Sequence, residues 1–406
     1  MIFSSSSQVI IVAPILPTIS EALDIARSVQ GTLVSAYAIT LSVCALITGP
    51  ISDRFGRRRI LLFGTSSMTI ALALHGLAEN YAAFLGVRAL AGVSGGMLSG
   101  GAVAYVGDYF PYDKRGWANG WVMSGIAFGQ VGGVPIGIYL AEQYGFRVPF
   151  LLFGATMGLT FLIILRYLPA PEVDLDSRRL SLRRFAQKYR TLLRQPSVTS
   201  ATIIYALMFL SIALYVVYLP TWLKEVHALT GTEIAYLFLA GGAASVFAGP
   251  LAGVISDRVG RKPVIIGACI GLAILITGTP YAMEQPFVTY GLFFLVMMLI
   301  SVRISPLQAL LTALVPDSRR GMLMSMAVAI GQLGIAVGGG IAGPAYTQFG
   351  YESNAFLAAA ATVLMIGLIW RTLPEPSLEQ PSSRQSSVHS APSLSEDLNS
   401  SSTGTI

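Results

Sequence analysis

The sequence predicts an all-α integral membrane protein, with twelve transmembrane helices in two pseudo-symmetric six-helix bundles. Three observations lead there. First, hydrophobic residues make up 54% of the 406 and charged residues only 11%; a soluble domain carries about 25% charged residues. That deficit excludes an ordinary cytosolic enzyme, a nucleic-acid binder and a disordered chain. Second, twelve stretches of 18 residues or more contain no Asp, Glu, Lys or Arg: 1–20, 28–52, 60–78, 89–107, 116–141, 148–165, 195–223, 234–256, 263–283, 285–302, 321–351 and 353–370. A helix of roughly 20 apolar residues crosses a bilayer core of about 30 Å. The runs are continuous rather than alternating and too long for barrel strands. Third, the chain repeats itself at half its length.

Taken in order, the first span is irregular. It opens on the polar run Ser4–Ser7, and its well-formed part is Val9–Ile19. Met1 stands almost inside it, so a start upstream of Met1 is one expectation. A cleaved signal peptide would need a basic n-region and a small-residue cleavage site, and neither is present. Gly and Pro interrupt several later spans, which packed membrane helices tolerate because neighbours satisfy the freed backbone groups. The tenth run continues past Arg303 through Ile304–Pro316, so its helix contains that arginine. Residues 1–168 and 198–373 then form the two bundles. The segment 169–197 joins them and carries Arg183, Arg184, Lys188, Arg190 and Arg194. It reads either as an interfacial helix on anionic lipid or as a solvated linker. Residues 374–406 are Ser-rich and read as a disordered cytoplasmic tail.

Charge sets the orientation. With both termini cytoplasmic, 21 of the 26 Lys and Arg residues fall in inner loops and tail. Three, Arg27, Arg147 and Lys224, are outside, and two, Arg88 and Arg303, lie within spans. The positive-inside bias therefore predicts cytoplasmic termini and residence in the plasma (inner) membrane. The formal charge of +6 is explained by topology rather than by nucleic acid. Cys44 and Cys269 lie in apolar runs and read as buried, inert thiols. No metal site, cofactor or nucleotide-binding loop is expected.

The repeat is explicit. Residues 49–58, Gly-Pro-Ile-Ser-Asp-Arg-Phe-Gly-Arg-Arg, return as 253–262, Gly-Val-Ile-Ser-Asp-Arg-Val-Gly-Arg-Lys, 204 positions later. Pro111 and Arg115-Gly116 return as Pro316 and Arg320-Gly321; Tyr144-Gly145 returns as Phe349-Gly350 and Leu168-Pro169 as Leu373-Pro374, each 205 positions on. The Gly-x-x-x-Asp-Arg-x-Gly-Arg-Arg pattern, present twice, resembles the major facilitator superfamily over about residues 1–373. Finer features resemble its twelve-helix drug:proton antiporter branch. These are Pro14-Ile15-Leu16-Pro17 in span 1, Arg88 followed by Gly92 in span 4 with Ala91 at the usual glutamine position, and Gly133-Val134-Pro135-Ile136-Gly137 in span 5, where Val134 separates the usual Gly-Pro pair.

The motif residues have physical roles beyond resemblance. Asp53 sits at the inner C-terminal end of span 2, where a helix end disfavours an anion; Arg57, four residues on, can compensate it. The inner N-terminus of span 11 offers Asp53 a positive partner in the other half, and the start of span 5 offers one to Asp257. Gly49, Asp53, Arg54, Gly56 and Arg57, with their copies Gly253, Asp257, Arg258, Gly260 and Arg261, thus read as a conformational latch, closed in the outward-facing state. Gly56 and Gly260 permit the tight turn. A purely topological role for the basic loops is the alternative. Gly125, Gly129, Gly132, Gly133 and Gly137 in span 5, with Gly331, Gly334, Gly338, Gly339, Gly340 and Gly343 in span 11, let helices approach closely. Gly129, Gly133, Pro135 and Gly137 are the helix-packing motif.

No acidic residue falls mid-span. Intramembrane charges are costly and usually functional. Arg303 either satisfies carbonyls freed by Pro306 or attracts an anionic substrate. Arg88 either snorkels outward or belongs to a proton relay; the antiporter resemblance implies the relay. Asp108 and His75 are the other proton-coupling candidates. Tyr37, Gln130, Tyr205, Tyr215 and Gln332 are candidate lining groups.

The expected function is secondary active transport of a small molecule by alternating access, preferentially proton-coupled efflux of drugs or amphipathic compounds by a monomer in the lipid bilayer. Proton-coupled uptake of an organic anion is the alternative, and a non-transporting receptor a third. A membrane enzyme is not expected, because three histidines, two separated cysteines and no mid-span acid provide no catalytic constellation.

Overall fold

The computed structural model describes residues 1–171, 182–282 and 286–373. The expected tail at 374–406 lies outside the described residues, as does part of the joining segment, 172–181. Every regular element among the described residues is helical. In lipid a helix satisfies its own backbone donors and acceptors, so apolar runs of this length have no better conformation.

The first half begins with α1 (Ile2–Ile10) and α2 (Leu16–Ala22), which together make the first rod. The break at residues 11–15 falls at Pro14, which has no N–H to continue the ladder; Pro17 is in the first turn of α2. A short 3-10 turn, Arg27–Val29, leads to α3 (Thr32–Phe55), α4 (Arg57–His75) and α5 (Tyr81–Tyr109). The fifth rod is composite. It consists of α6 (Tyr112–Phe128), a π-helical turn Gly129–Gly133 and α7 (Val134–Tyr144). Pro135 accounts for the π turn, because it cannot bond to the Val131 carbonyl and crowds the preceding turn. α8 (Arg147–Tyr167) ends this half.

A connecting helix, α9 (Leu182–Leu193), precedes α10 (Pro196–Val216) and α11 (Leu219–Val226), the two parts of the seventh rod. Then follow α12 (Gly231–Val259), α13 (Arg261–Ala282), α14 (Pro286–Ala313), α15 (Asp317–Phe349) and α16 (Tyr351–Thr372). Among the described residues ten stretches are long and apolar enough to cross a membrane. The interrupted α1–α2 rod and α4, with Arg57–Arg59 at its start, complete the twelve. Arg303 lies inside α14, as the extended tenth run predicts.

The repeat is visible in the backbone. Gly56 and Gly260 turn the chain between successive rods at φ of 91° and 106°, and Gly145 and Gly350 do so at 89° and 75°. An L side chain rarely adopts such angles, so these four elbows require glycine. Helix ends are capped in parallel too. Arg58 donates to the carbonyls of Leu165 and Leu168 at the end of α8, and its counterpart Lys262 donates to those of Trp370 and Leu373 at the end of α16.

Large apolar side chains such as Phe63, Leu77, Leu162, Phe247 and Trp370 are exposed on the outside. A surface of this kind suits hydrocarbon rather than water. Inside, one buried cluster runs continuously from Ile11, Phe84 and Phe150 in the first half to Tyr218, Trp222 and Tyr351 in the second. The α5 helix packs against α3 and α4, and α15 against both α10 and α3. α15 therefore belongs to its own bundle and to the seam between the two.

Candidate functional site

The alternating path of the rods puts the Asp53 and Asp257 turns at one end of the molecule, the basic face. At this face, among the described residues, the ion pairs of Asp53, Arg57, Asp257 and Arg261 join helices of the same half. Arg57 pairs with Asp53, four residues before it, and with Asp108 at the end of α5, at 2.7 Å. Arg261 pairs with Asp257 at 3.7 Å. The side chain of Asp53 is 52% exposed. Arg54 lies over the Phe55 ring, and Arg258 is exposed. Gly49 has open space around its Cβ position, and Gly253 has only the Ser305 hydroxyl near it. Asp108 is thus a partner of Arg57 at the end of the bundle, away from the membrane centre.

The opposite face is tied across the halves. The Tyr218 hydroxyl donates to the Arg27 carbonyl at 2.7 Å and accepts from the Gly31 amide at 3.0 Å. Arg27 pairs with Glu225 at 3.0 Å, Tyr346 donates to the same carboxylate at 2.8 Å, and Lys224 pairs with Glu21 at 2.8 Å. Thr232 donates to Glu142 at 2.7 Å. Deeper along the seam, Ser35 and Ser42 of α3 donate to the carbonyls of Ala336 and Ala329 of α15.

Glycine makes this approach feasible. A Cβ on Gly343 would stand 2.2 Å from the Ser28 carbonyl, and one on Gly31 would stand 2.1 Å from that of Gly339. The span 11 glycines divide by partner. Gly339 and Gly343 face the other half, whereas Gly331, Gly334 and Gly338 face α10 of their own. Gly129, Gly133 and Gly137 pack on α1 and the break after it, against Ser6, Ser7 and Ile11. The π turn leaves the Gln130 carbonyl beside Gly242 of α12 in the other half.

Between the faces lie two arginines with no exposed surface. The first, Arg88, is well supplied. Its Nη1 donates to Gln8 Oε1 at 2.9 Å, its Nε donates to the Leu33 carbonyl at 3.2 Å, and the guanidinium lies 4.6 Å from the Tyr37 ring centre. The Tyr37 hydroxyl lies beside Ser5 and Gln8. Arg88 thus turns into its own bundle, to neutral partners, rather than snorkelling. Arg303 donates Nη2 to the Met208 carbonyl of α10 at 3.3 Å, and the Cys269 thiol of α13 is its second hydrogen-bonding neighbour. The carbonyls near Pro306 are not its partners, because the side chain points across to α10 and α13.

The other candidates separate by burial. His75 is fully buried, stacked on Phe150 at 4.3 Å and hydrogen-bonded to the Ala71 carbonyl; it is a core histidine of the first half. Tyr215 is also core. It bonds to Thr279 at 3.2 Å, and its carbonyl accepts from Tyr351, so it is not a lining group. Tyr205 lies tilted against Phe209, ring centres 5.1 Å apart, and accepts a 3.4 Å bond from Gln308, an exposed residue of α14. Gln130 and Gln332 are half-buried. Sequence reasoning missed Gln8, Gln308 and the Tyr218–Arg27–Glu225–Tyr346 group. Gln8 carried a signal, an amide inside an apolar span. The others become partners only when distant helices meet.

The sequence profile described as Major Facilitator Superfamily matches residues 1–245 and 201–400. The chain belongs to that superfamily. A relative described as the uncharacterized MFS-type transporter YwfA of Bacillus subtilis (strain 168) is 27% identical over 89% of this chain and 88% of its own length. The multidrug resistance protein MdtG of Enterobacter lignolyticus (strain SCF1) is 26% identical over 87% and 85%. Among solved structures, a D-xylose-proton symporter superposes with a TM-score of 0.74 at 18% identity, covering 93% of this chain and 97% of that one. The human organic anion transporter MFSD10 (TETRAN) gives 0.68 at 17%, covering 91% and 97%. These likenesses establish the major facilitator fold. The drug:proton antiporter resemblance of the sequence agrees with the MdtG relatives.

Proposed function

We propose that this superfamily transporter exports amphipathic small molecules by alternating access, driven by proton antiport, from a plasma membrane in which the basic face is cytoplasmic. The observation that carries this reading is the asymmetry of the two faces. Polar and glycine-mediated contacts join the halves at one end, while at the other the Asp53 and Asp257 networks stay within their own halves. With the basic face inside, the conformation is inward-facing. The Arg27–Glu225–Tyr346 and Lys224–Glu21 groups then form the outer gate.

The mechanism follows from two mutually exclusive seams. Rocking the halves apart at the outer gate breaks the Tyr218–Arg27 and Ser35–Ala336 bonds. Rocking them together at the basic face brings Asp53 to the N-terminus of α15 and Asp257 to that of α6, where helix dipoles favour a carboxylate. Arg57 compensates Asp53 while the latch is open. Arg88, Tyr37, Gln8 and Asp108 are the proposed elements of proton coupling; His75, stacked on Phe150 and bonded to the Ala71 carbonyl, is left to the core. Efflux also agrees with the names of the MdtG relatives.

The test is flux in proteoliposomes. With the interior acidified relative to the bath, an antiporter accumulates substrate inside, and collapsing the gradient abolishes accumulation. Accumulation under the reverse gradient would replace export by symport. Ligand binding without flux under either gradient would replace transport by a receptor.

A further inference from the structure

We infer that Arg303 is a binding subsite for the anionic group of the substrate, so that the molecules carried are amphipathic organic anions. This rests on the transport reading above and narrows its substrate class. The observation is a contrast between two buried guanidinium groups in one chain. Arg88 has Gln8, the Leu33 carbonyl and the Tyr37 ring around it. Arg303 has one long bond to the Met208 carbonyl and a weak thiol neighbour in Cys269, and among its nitrogens Nε and Nη1 have no hydrogen-bond partner. Both side chains are 0% exposed.

Arg303 lies ten residues from the basic end of α14, about 15 Å into the span at 1.5 Å per residue. A guanidinium at such a depth stays protonated and desolvation penalises it heavily. The chain does not relieve that penalty with an acid. Every ion pair among the described residues lies at one of the two faces, and the remaining neighbour is the neutral thiol of Cys269. Nε and Nη1 together carry three N–H donors, a set suited to a carboxylate or sulfonate, whose charge would also neutralise the site. The surroundings favour an apolar body on that anion. The rings of Tyr205 and Phe209, tilted to each other at 5.1 Å, lie on α10 close in sequence to Met208, and the exposed Gln308 of α14 reaches Tyr205. A cationic substrate would meet uncompensated positive charge here.

The test is ligand-dependent thermal stabilisation of the purified full-length protein, with benzoate, benzamide and tetraphenylphosphonium as the molecules used. Benzoate should raise Tm saturably, and benzamide, of the same shape without the charge, should not. Arg303→Gln should weaken benzoate at least tenfold, and Arg303→Lys should restore part of the loss. Equal stabilisation by benzamide, stabilisation by the cation alone, or unchanged benzoate affinity in Arg303→Gln would overturn the proposal; the benzamide comparison needs no variant and survives a folding defect. Counterflow in liposomes separates the two readings. Benzoate binding without flux would remove the transport reading and leave the subsite. Flux of cations without benzoate binding would remove the subsite and leave transport.

Discussion

At the residue scale, the decisive question is how each intramembrane charge is accommodated. Arg88 depends on Gln8, so Gln8→Ala removes the acceptor from a buried guanidinium. A loss of about 1–3 kcal/mol is expected, read as a lowered unfolding midpoint in detergent. An unchanged midpoint would show that the bond contributes nothing. Asp53→Asn should impair flux while leaving membrane insertion and folding intact, because the carboxylate is half-exposed in the present conformation and is needed only when it docks on α15. Normal flux in that variant would dispose of the latch. The sequence made Arg88 and Arg303 visible as charges inside apolar runs, since an arginine there has few benign explanations. It did not distinguish them. Helical phase cannot tell that one guanidinium meets Gln8, the eighth residue of the chain, and that the other meets a carbonyl of α10 and the Cys269 thiol. For the same reason Tyr215, a candidate lining group, and His75, a candidate for proton coupling, are both found in the core.

At the element scale, glycine position decides which surfaces are permanent and which separate. Gly334 and Gly343 lie on one helix nine residues apart, yet a Cβ on the first meets the Ala206 carbonyl of the same half and a Cβ on the second meets the Ser28 carbonyl of the other. Gly343→Val should therefore oppose closure of the outer seam while sparing the fold. Gly334→Val should destabilise the second bundle itself. Disulfide formation between Ser35→Cys and Ala336→Cys reports the seam. It should be slowed by Gly343→Val in folded protein, whereas Gly334→Val should lower the unfolding midpoint instead. The reverse pattern would mean that the division of glycines has been misread. The rods themselves were legible from charge-free length alone, and the elbows at Gly56 and Gly260 from the repeated motif. The π turn at Gly129–Gly133 was not. Its cause, Pro135, was in view, but a proline inside a span predicts a disturbance without specifying its form.

At the scale of the whole molecule, the 204–205-residue repeat predicts two related halves, and the backbone angles at Gly56, Gly260, Gly145 and Gly350 carry the same periodicity into three dimensions. What the repeat cannot express is how the halves stand toward each other, because the proposed mechanism requires two mutually exclusive seams encoded in the same chain. The outer seam uses Arg27, Glu225, Lys224 and Glu21, which in the sequence are unremarkable loop charges. The proposed inner one would use Asp53, Arg57, Asp257 and Arg261, conspicuous for their motif and, among the described residues, paired within their own halves. Spin labels give the most direct test of this two-seam account. One pair at Asp24 and Val226 reports the outer face, and one at Arg59 and Arg371 reports the basic face; all four positions are exposed. On a change of pH or addition of transported ligand, the account predicts that the first distance lengthens as the second shortens. Two distances that move together, or that stay fixed while flux proceeds, would contradict it.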